Sequence, residues 1–375
     1  MRDQVVVRPV VSWGDRRRFQ RLPWSVYAGD PNWVPPLLAQ ERQLLGWGKH
    51  PFYDHADSVT LLAERNGEPV GRLAVLINPI HNQKYNEQRG FFGFFECIDA
   101  VAVAERLFDA GGQWLRQRGM TAMRGPVNPS LNYTCGLLID GFESPPCFLM
   151  TYNPPYYAAL LEACGLTKSQ DMYAYEMDMP LLRALVDRYK PAVLSVLNRP
   201  DLVIRPMDPT RLRQEIDTYL DIYNRSLEGT WGFTPLQPAE ASAIADQLRH
   251  LIEPQFTAIA EIDGRPIGVM FALLDYNQIL RTCNGRLFPF GLMRLITGRR
   301  NIHTVRAMAM TMVPGYQDAG LSVVLIDHLT GPAARWGIER WEMSWILESN
   351  KQSRGSLERA GIKKTKTYRM VDKAL

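Results

Sequence analysis

The sequence predicts an α/β fold built twice in tandem, each copy a mixed, twisted sheet flanked by helices. Three observations carry this reading. The first is an internal repeat: three stretches recur in the same order about 197 residues later. Val6-Val7-Arg8-Pro9-Val10 returns as Val203-Ile204-Arg205-Pro206-Met207, and Ala63-Glu64-Arg65-Asn66-Gly67-Glu68-Pro69-Val70-Gly71 returns as Ala260-Glu261-Ile262-Asp263-Gly264-Arg265-Pro266-Ile267-Gly268. Leu161-Glu162-Ala163-Cys164-Gly165-Leu166 returns, one residue nearer, as Leu357-Glu358-Arg359-Ala360-Gly361-Ile362. The second is a turn signal shared by both copies: Asn66-Gly67 and Asp263-Gly264 each separate two β-branched runs, as a tight hairpin turn requires. The third is length. A chain of 375 residues exceeds what one hydrophobic core usually serves, so two domains are expected, at 1–190 and 200–375, joined around Tyr189 to Pro200.

Each element follows from local pattern. A short strand ending in Arg-Pro opens each copy, at Val5 to Arg8 and Leu202 to Arg205. A helix follows. In the second copy Leu212, Ile216, Tyr219, Tyr223 and Leu227 share one helical face; in the first, Phe19, Leu22, Val26 and Tyr27 do similar work before Asp30-Pro31. Pro238 marks the start of a second helix in the later copy. The hairpins come next, at Val59 to Ile77 and Phe256 to Leu274, and then a fourth strand, at Phe91 to Ile98 and Thr304 to Val313. A long helix is expected at Ala102 to Arg118 and Leu321 to Trp336, closed by Gly119 and Gly337, where a helix end favours glycine. A fifth strand (Thr121 to Arg124; Arg340 to Leu347), a helix carrying Leu-Glu-x-x-Gly and a last strand complete each copy. Antiparallel hairpins feeding a βαβ unit give a mixed sheet.

Hydrophobic content of 46%, charged content of 22% and a net charge of +4 are those of a soluble globular chain and give nucleic-acid binding no support. Five scattered cysteines without C-x-x-C spacing read as reduced thiols. No signal-peptide core opens the chain and no apolar run is long enough to span a bilayer, so a cytoplasmic location is expected, with membrane contact only peripheral, at the inner face. His50, Asp54 and His55 lack a third cluster, and no metal is expected.

With this element order, Val313-Pro314-Gly315-Tyr316-Gln317-Asp318-Ala319-Gly320-Leu321-Ser322, lying between the fourth strand and the long helix of the second copy, resembles the Gln/Arg-x-x-Gly-x-Gly/Ala loop of the Gcn5-related N-acetyltransferase superfamily, the acyl-CoA N-acyltransferase fold. Gln317 and Gly320 match; Ser322 stands where Gly or Ala is usual. Asn350 and the run to Gly361 match a second family feature. The resemblance covers nearly the whole chain and implies acyl-CoA as cosubstrate, its pyrophosphate held by Gln317, Ala319, Gly320, Leu321 and Ser322 and its thioester beside Met312 and Val313. Helix-start amides and the helix dipole suit a pyrophosphate; Asp318 would repel one unless it points away. The resemblance also implies a carboxylate base, for which Glu348, beside Asn350, is the first candidate and Glu342 the second. The acid in this superfamily is often a Tyr on the next helix. Lys351 to Ala360 has none, leaving Tyr133 or Tyr316 as replacements.

The copies are unequal. The first has Asp99-Ala100-Val101 where the second has its glycine loop, so the cofactor site is expected in the second copy alone. The second copy carries an insertion, Tyr276 to His303, with Arg281, Arg286, Arg294, Arg299 and Arg300 among apolar residues and no acid. That composition suits an acyl chain, coenzyme phosphates or anionic lipid, or else a solvated loop with buried anchors. The first copy carries Gly125 to Pro146, a Gly-Pro loop rich in hydrogen-bonding groups, expected either to shape an acceptor pocket or to serve as a structural loop. The expected function is acyl transfer from a CoA thioester to an amine, with a long-chain acyl group and a lipid-like amine such as a sphingoid base. The alternatives are a non-catalytic acyl-CoA-binding or scaffold protein, and aminoacyl transfer of the peptidoglycan-bridge type.

Overall fold

A computed structural model describes residues 4–317 and 319–375. In chain order the elements are β1 (Val5–Pro9), α1 (Trp13–Val26), α2 (Leu38–Leu44), β2 (Asp57–Arg65), β3 (Glu68–Ile77), α3 (Pro79–Tyr85), β4 (Arg89–Cys97), α4 (Val101–Arg116), β5 (Ala122–Gly125), β6 (Val127–Asn128), β7 (Thr134–Cys135), β8 (Leu137–Asp140), α5 (Tyr157–Ala163) and β9 (Thr167–Asp178). There follow α6 (Met179–Arg188), α7 (Lys190–Leu197), β10 (Leu202–Arg205), α8 (Leu212–Ser226), α9 (Pro238–Leu248), β11 (Thr257–Ile262), β12 (Arg265–Leu274), α10 (Asn277–Leu280), α11 (Gly291–Gly298), β13 (Thr304–Met312), α12 (Ala319–Trp336), β14 (Arg340–Leu347), α13 (Lys351–Arg359) and β15 (Lys363–Ala374).

Two compact units result. Among the described residues, one comprises 4–172, 279–293 and 366–375; the other comprises 173–278, 294–317 and 319–365. This differs from a cut at 190–200, because each repeat's last strand runs out of the unit its own copy builds. The stretch expected as a linker is also mostly helix: Pro191 sits in the first turn of α7, where its missing N–H costs nothing, and so opens a helix instead of breaking one.

In the first unit the sheet runs β1-β2-β3-β4-β5-β15, with β8 also paired to β15. The β1 to β4 pairings are antiparallel, and β4–β5 is parallel. The apolar stripe of α4 (Val103, Leu107, Phe108, Leu115) is buried on this sheet. Gly111 lets the helix come close, since a Cβ there would sit 2.8 Å from Val75. Each large side chain so buried is worth about 1.5–3 kcal/mol. The last residues of the chain are tied in by Asp372, which takes Arg124 through Nε (2.8 Å) and Nη2 (2.7 Å) and Arg89 Nη1 (2.9 Å).

In the second unit the sheet runs β10-β11-β12-β13-β14-β9, antiparallel from β10 to β13 and parallel at β13–β14. The repeated sequence words now have a physical cause. Arg8 on β1 bonds Glu64 on β2 (2.7 Å) and Asp15 on α1 (2.7 Å); Arg205 on β10 bonds Glu261 on β11 (2.8 Å) and Glu215 on α8 (2.7 Å). The same arginine therefore staples strand, strand and helix in both units. Both hairpins also carry a bulge, at Ala63/Glu64 and Ala260/Glu261, and both turns hold two successive positive φ values, 53° and 82° at Asn66-Gly67 and 49° and 71° at Asp263-Gly264. Only residues tolerant of that region fit there.

A second ionic cluster lies in the first unit. Arg72 is fully buried, with Nη2 on Glu41 (3.0 Å) and near Glu96 (3.5 Å), and its Nη1 donates to the Phe19 carbonyl (3.0 Å). Tyr157 donates to Glu96 (2.8 Å). Burial pushes the Glu96 carboxyl above its usual range against the pull of Arg72, and pushes the Tyr27 and Tyr157 hydroxyls well up.

Two outcomes follow. Glu41→Gln leaves Arg72 with half its counter-charge, and loss of about 3–5 kcal/mol is expected in urea unfolding, because breaking a buried pair strands the remaining charge. His81 is packed against Tyr85 and Phe91, and burial holds its imidazole down at about 4 from the ordinary 6.5. A depressed histidine contributes stability above its unfolded pKa and loses it as pH falls. Between pH 6.5 and 4 the wild type is thus expected to lose up to about 3 kcal/mol relative to His81→Gln, at roughly 1.4 kcal/mol per unit; parallel pH profiles of the two proteins would refute this.

Candidate active site

The site-forming feature is a ladder that stops early. β13 and β14 pair in parallel at Thr304↔Arg340, Val305↔Trp341, Arg306↔Glu342 and Ala307↔Met343, and the pairing ends there although both strands continue, to Met312 and Leu347. Burial changes at the same point: Thr304 to Ala307 are buried, whereas Met308 to Thr311 are half-buried or exposed. The buried Arg306 occupies the fork. Its Nε donates to Ser344 Oγ (2.8 Å) and its Nη2 to the Ser344 carbonyl (3.0 Å), while Ser344 Oγ donates to Glu342 (2.6 Å). The guanidinium thus supplies the Ser344 carbonyl with a donor just past the last ladder pair, which offsets part of the cost of ending the ladder.

Beyond the fork, β13 keeps its antiparallel pairing to β12, with one extra residue, Met308, between the pairs Phe271↔Ala309 and Ala272↔Ala307. Val313 N–H bonds the Ile267 carbonyl on β12 (2.9 Å). By strand alternation Thr311 and Ala309 also face β12, and Met310 and Met312 direct their N–H and C=O groups to the edge where β14 has diverged. The edge left by β14 is therefore the unladdered backbone of Met310 and Met312; the Met310 side chain is exposed, Met308 Sδ accepts from Arg306 Nη1 (3.0 Å), and the Met312 side chain is buried against Gly268 and Ser322. At its far end Gly315 turns the chain (φ 91°), Tyr316 N–H bonds the Val313 carbonyl (3.1 Å), and α12 starts at Ala319, presenting its first amide donors.

The expected residues are distributed as follows. Met312, Val313 and Leu321 are buried, Gln317 is exposed, and Ser322 Oγ lies 3.9 Å from the Met312 sulfur. Ala319 begins α12, and Asp318 lies outside the described residues. Gly320 faces α7, and a Cβ there would lie 3.0 Å from Val196, so its smallness serves helix packing. Glu348 follows β14 directly and is half-buried. Asn350 caps α13, its Oδ1 accepting from Ser353 N–H (3.1 Å). Glu342 is buried in the fork under Ser344. Tyr133 belongs to the first unit, where its ring sits against His50 (5.5 Å) and Phe52 (6.5 Å). Arg306, the residue on which the fork turns, was not singled out by pattern. Its signal was a lone charge inside the run Thr-Val-Arg-Ala-Met. Among the described residues no three His, Cys, Asp or Glu side chains gather as a metal site.

The first unit forks in the same way and closes the gap with its own chain. β4 and β5 pair at Arg89↔Ala122, Gly90↔Met123 and Phe91↔Arg124 and then part. Asn128 Oδ1 takes the Phe94 N–H (2.7 Å), and the Val127 carbonyl lies against Gly93 so closely that no Cβ would fit. The Gly-Pro insertion thus occupies the groove of its own unit. Phe91, Phe92, Phe94 and Phe95 are buried in the core.

No protein-family model matches the chain. It is 33% identical to Protein YghO of Escherichia coli over 99% of its length and 96% of that protein, and 34% identical to the bacterial ceramide synthase of Caulobacter vibrioides over 98% of its length and 97% of that protein. Among solved structures it resembles a tandem GNAT protein from the clavulanic acid biosynthesis pathway (TM-score 0.57, 11% identity, 99% of this chain and 98% of that one). A GCN5-related N-acetyltransferase from Sphaerobacter thermophilus is similar (TM-score 0.53, 12% identity, 99% and 95%). The chain belongs to the family of Protein YghO and the bacterial ceramide synthase, and is itself an acyltransferase with a tandem GCN5-related N-acetyltransferase fold.

Proposed function

We propose that this protein moves an acyl group from a CoA thioester to an amine, and that the thioester lies in the β13/β14 gap of the second unit. The observation that carries the reading is the unladdered edge at Met310 and Met312. The pantetheine arm of coenzyme A is extended and carries two amides. Such an arm pairs with a free strand edge as an added strand does. The start of α12 lies at the end of that edge, where helix amides and dipole favour a pyrophosphate. The exposed Met310 on this edge supports an apolar acyl chain, and the relation to a protein named as a ceramide synthase supports a long acyl group and a lipid-like amine of the sphingoid type.

The chemistry asks for a base to take the amine proton and for donors toward the thioester oxygen. Glu348, one residue past β14, is the proposed base. Asn350 is committed to capping α13 and is assigned no chemical step. A second reading, acyl-CoA binding without transfer, is favoured by the absence of Tyr from Lys351 to Ala360.

Gly320 is a poor place to test the pocket, because a side chain there strikes Val196. Met310→Pro is better: it deletes an N–H that makes no ladder bond, and an edge strand accepts proline. It is expected to weaken acyl-CoA binding roughly tenfold or more in calorimetry while Met310→Ala changes it little, with both apo proteins melting near wild type. Equal affinity in the two variants would place the arm elsewhere. Glu348→Gln is expected to cut thiol release with a long-chain acyl-CoA and a sphingoid amine about 10²–10⁴-fold and to leave acyl-CoA affinity within about twofold. If acyl-CoA binds the wild type and no amine releases free thiol, the non-catalytic reading stands instead.

A further inference from the structure

The insertion between β12 and β13 contains a feature that acyl transfer does not use. Its first half packs in the first unit, and it packs there firmly. Trp24 Nε1 of α1 donates to Asn284 Oδ1 (2.5 Å), Leu38 N–H donates to the Gly285 carbonyl (3.1 Å), and Gly285 sits so close to the Trp24 ring that a Cβ would fall 2.9 Å away. The loop is then cinched shut: Leu292 N–H bonds the Leu287 carbonyl (2.7 Å), and Gly291 lies against the Arg286 carbonyl, where a Cβ would be 2.6 Å away. What this closed base holds outward is apolar. Phe288 is 86% exposed and Phe290 63%, with Leu292 and Met293 also more than half exposed.

Two large aromatic side chains in water at the tip of a cross-braced loop are costly to solubility, and most exposed apolar groups are not so concentrated. The insertion's own charge is of one sign. The stretch from Tyr276 to His303 has five arginines and no acid. On the neighbouring α1, Arg17 and Arg21 stand four residues apart and share a helix face, and the Arg21 guanidinium lies over the Trp24 ring (4.6 Å), which packs on Gly285 next to Arg286; burial, then the charges of Arg286 and Arg17, lower the Arg21 guanidinium. Trp13, 70% exposed and under the Arg17 guanidinium (6.0 Å), extends this basic and aromatic surface. Apolar tips flanked by arginine and tryptophan suit the boundary of a bilayer, where rings enter the acyl region and guanidiniums stay at the phosphates. The other half of the insertion adds less: Arg299 is paired with Glu253 (3.0 Å) and Arg300 lies over Trp336 (4.1 Å).

We propose that the loop tip at Phe288 and Phe290, with Arg17, Arg21 and Arg286, docks the protein peripherally on an anionic phospholipid bilayer. No helix is long and apolar enough among the described residues to cross a membrane, so this face acts as a surface anchor. The inference stands apart from acyl transfer, because it is read by binding to vesicles without acyl-CoA.

The test is co-flotation of the full chain with vesicles of phosphatidylcholine alone or with about one third phosphatidylglycerol. Binding is expected to the anionic vesicles, weak binding to the neutral ones, and release at high salt. Phe288→Ser/Phe290→Ser is expected to lower the partition coefficient about tenfold or more, and Arg17→Glu/Arg21→Glu/Arg286→Glu by at least as much. Both variants should keep the wild-type melting temperature, as these side chains are mainly solvent-facing, and should keep thiol release with a short-chain acyl-CoA in solution. Binding of the wild type equally to neutral and anionic vesicles, or unchanged binding by the double-serine variant, overturns the proposal. So does a wild-type dimer that the double-serine substitution converts to monomer, which would make the loop a self-association surface.

Discussion

The parting of β13 from β14 is the constraint on which the rest of the second unit depends. Two parallel strands of eight and nine residues would normally ladder along their full length, since each unpaired backbone group forfeits a hydrogen bond. Here they separate after four pairs, and the buried Arg306 makes this tolerable by bonding the Ser344 carbonyl and hydroxyl at the fork. A single guanidinium with five donors can satisfy a strand end in a way that no apolar residue at position 306 could. Everything assigned to function lies downstream of that fork: the bulge at Met308, the open edge of Met310 and Met312, and the turn into α12.

The first unit shows what happens when the same fork is not left open. Its strands part after three pairs, and residues 125–128 enter, with Asn128 replacing the missing ladder partner of Phe94. Gly93 and Gly125 are needed there because the invading backbone leaves no space for a side chain. The buried Arg72–Glu41–Glu96 cluster and the fully buried Tyr157 add a hydrogen-bonded polar network to the apolar core of this unit. The duplication has therefore diverged at the fork: one is closed by its own chain, and in the other, among the described residues, the edge at Met310 and Met312 carries no ladder partner from β14.

Much of this was legible in the sequence, and for identifiable reasons. The repeat words centred on Arg8, Glu64, Arg205 and Glu261 because those residues form the same staple twice, and a staple needs fixed residue types. The hairpins were legible because two successive positive φ values demand Asn-Gly or Asp-Gly. Gly119 and Gly337 likewise sit at left-handed helix ends, at 78° and 91°. What failed to show was three-dimensional. Gly320 reads as room for a phosphate, yet its neighbour is Val196, more than a hundred residues earlier in the chain. Asn350 matches a family position while its side chain caps a helix. The polar insertion of the first copy reads equally as a pocket wall or a structural loop, and only the contact of Asn128 with Phe94 decides that it fills a groove. Arg306 was hidden because patterning treats one charge in an apolar strand as noise.

The function proposed for the second unit requires that its fork, and not that of the first unit, receive the extended arm of an acyl-CoA. Amide hydrogen exchange on the full chain, with and without a long-chain acyl-CoA, tests this most directly. Slowed exchange at Met310 and Met312 and at the first amides of α12, with no change from Phe92 to Cys97, is the result predicted. Protection from Phe92 to Cys97 with none at Met310 and Met312 would contradict it.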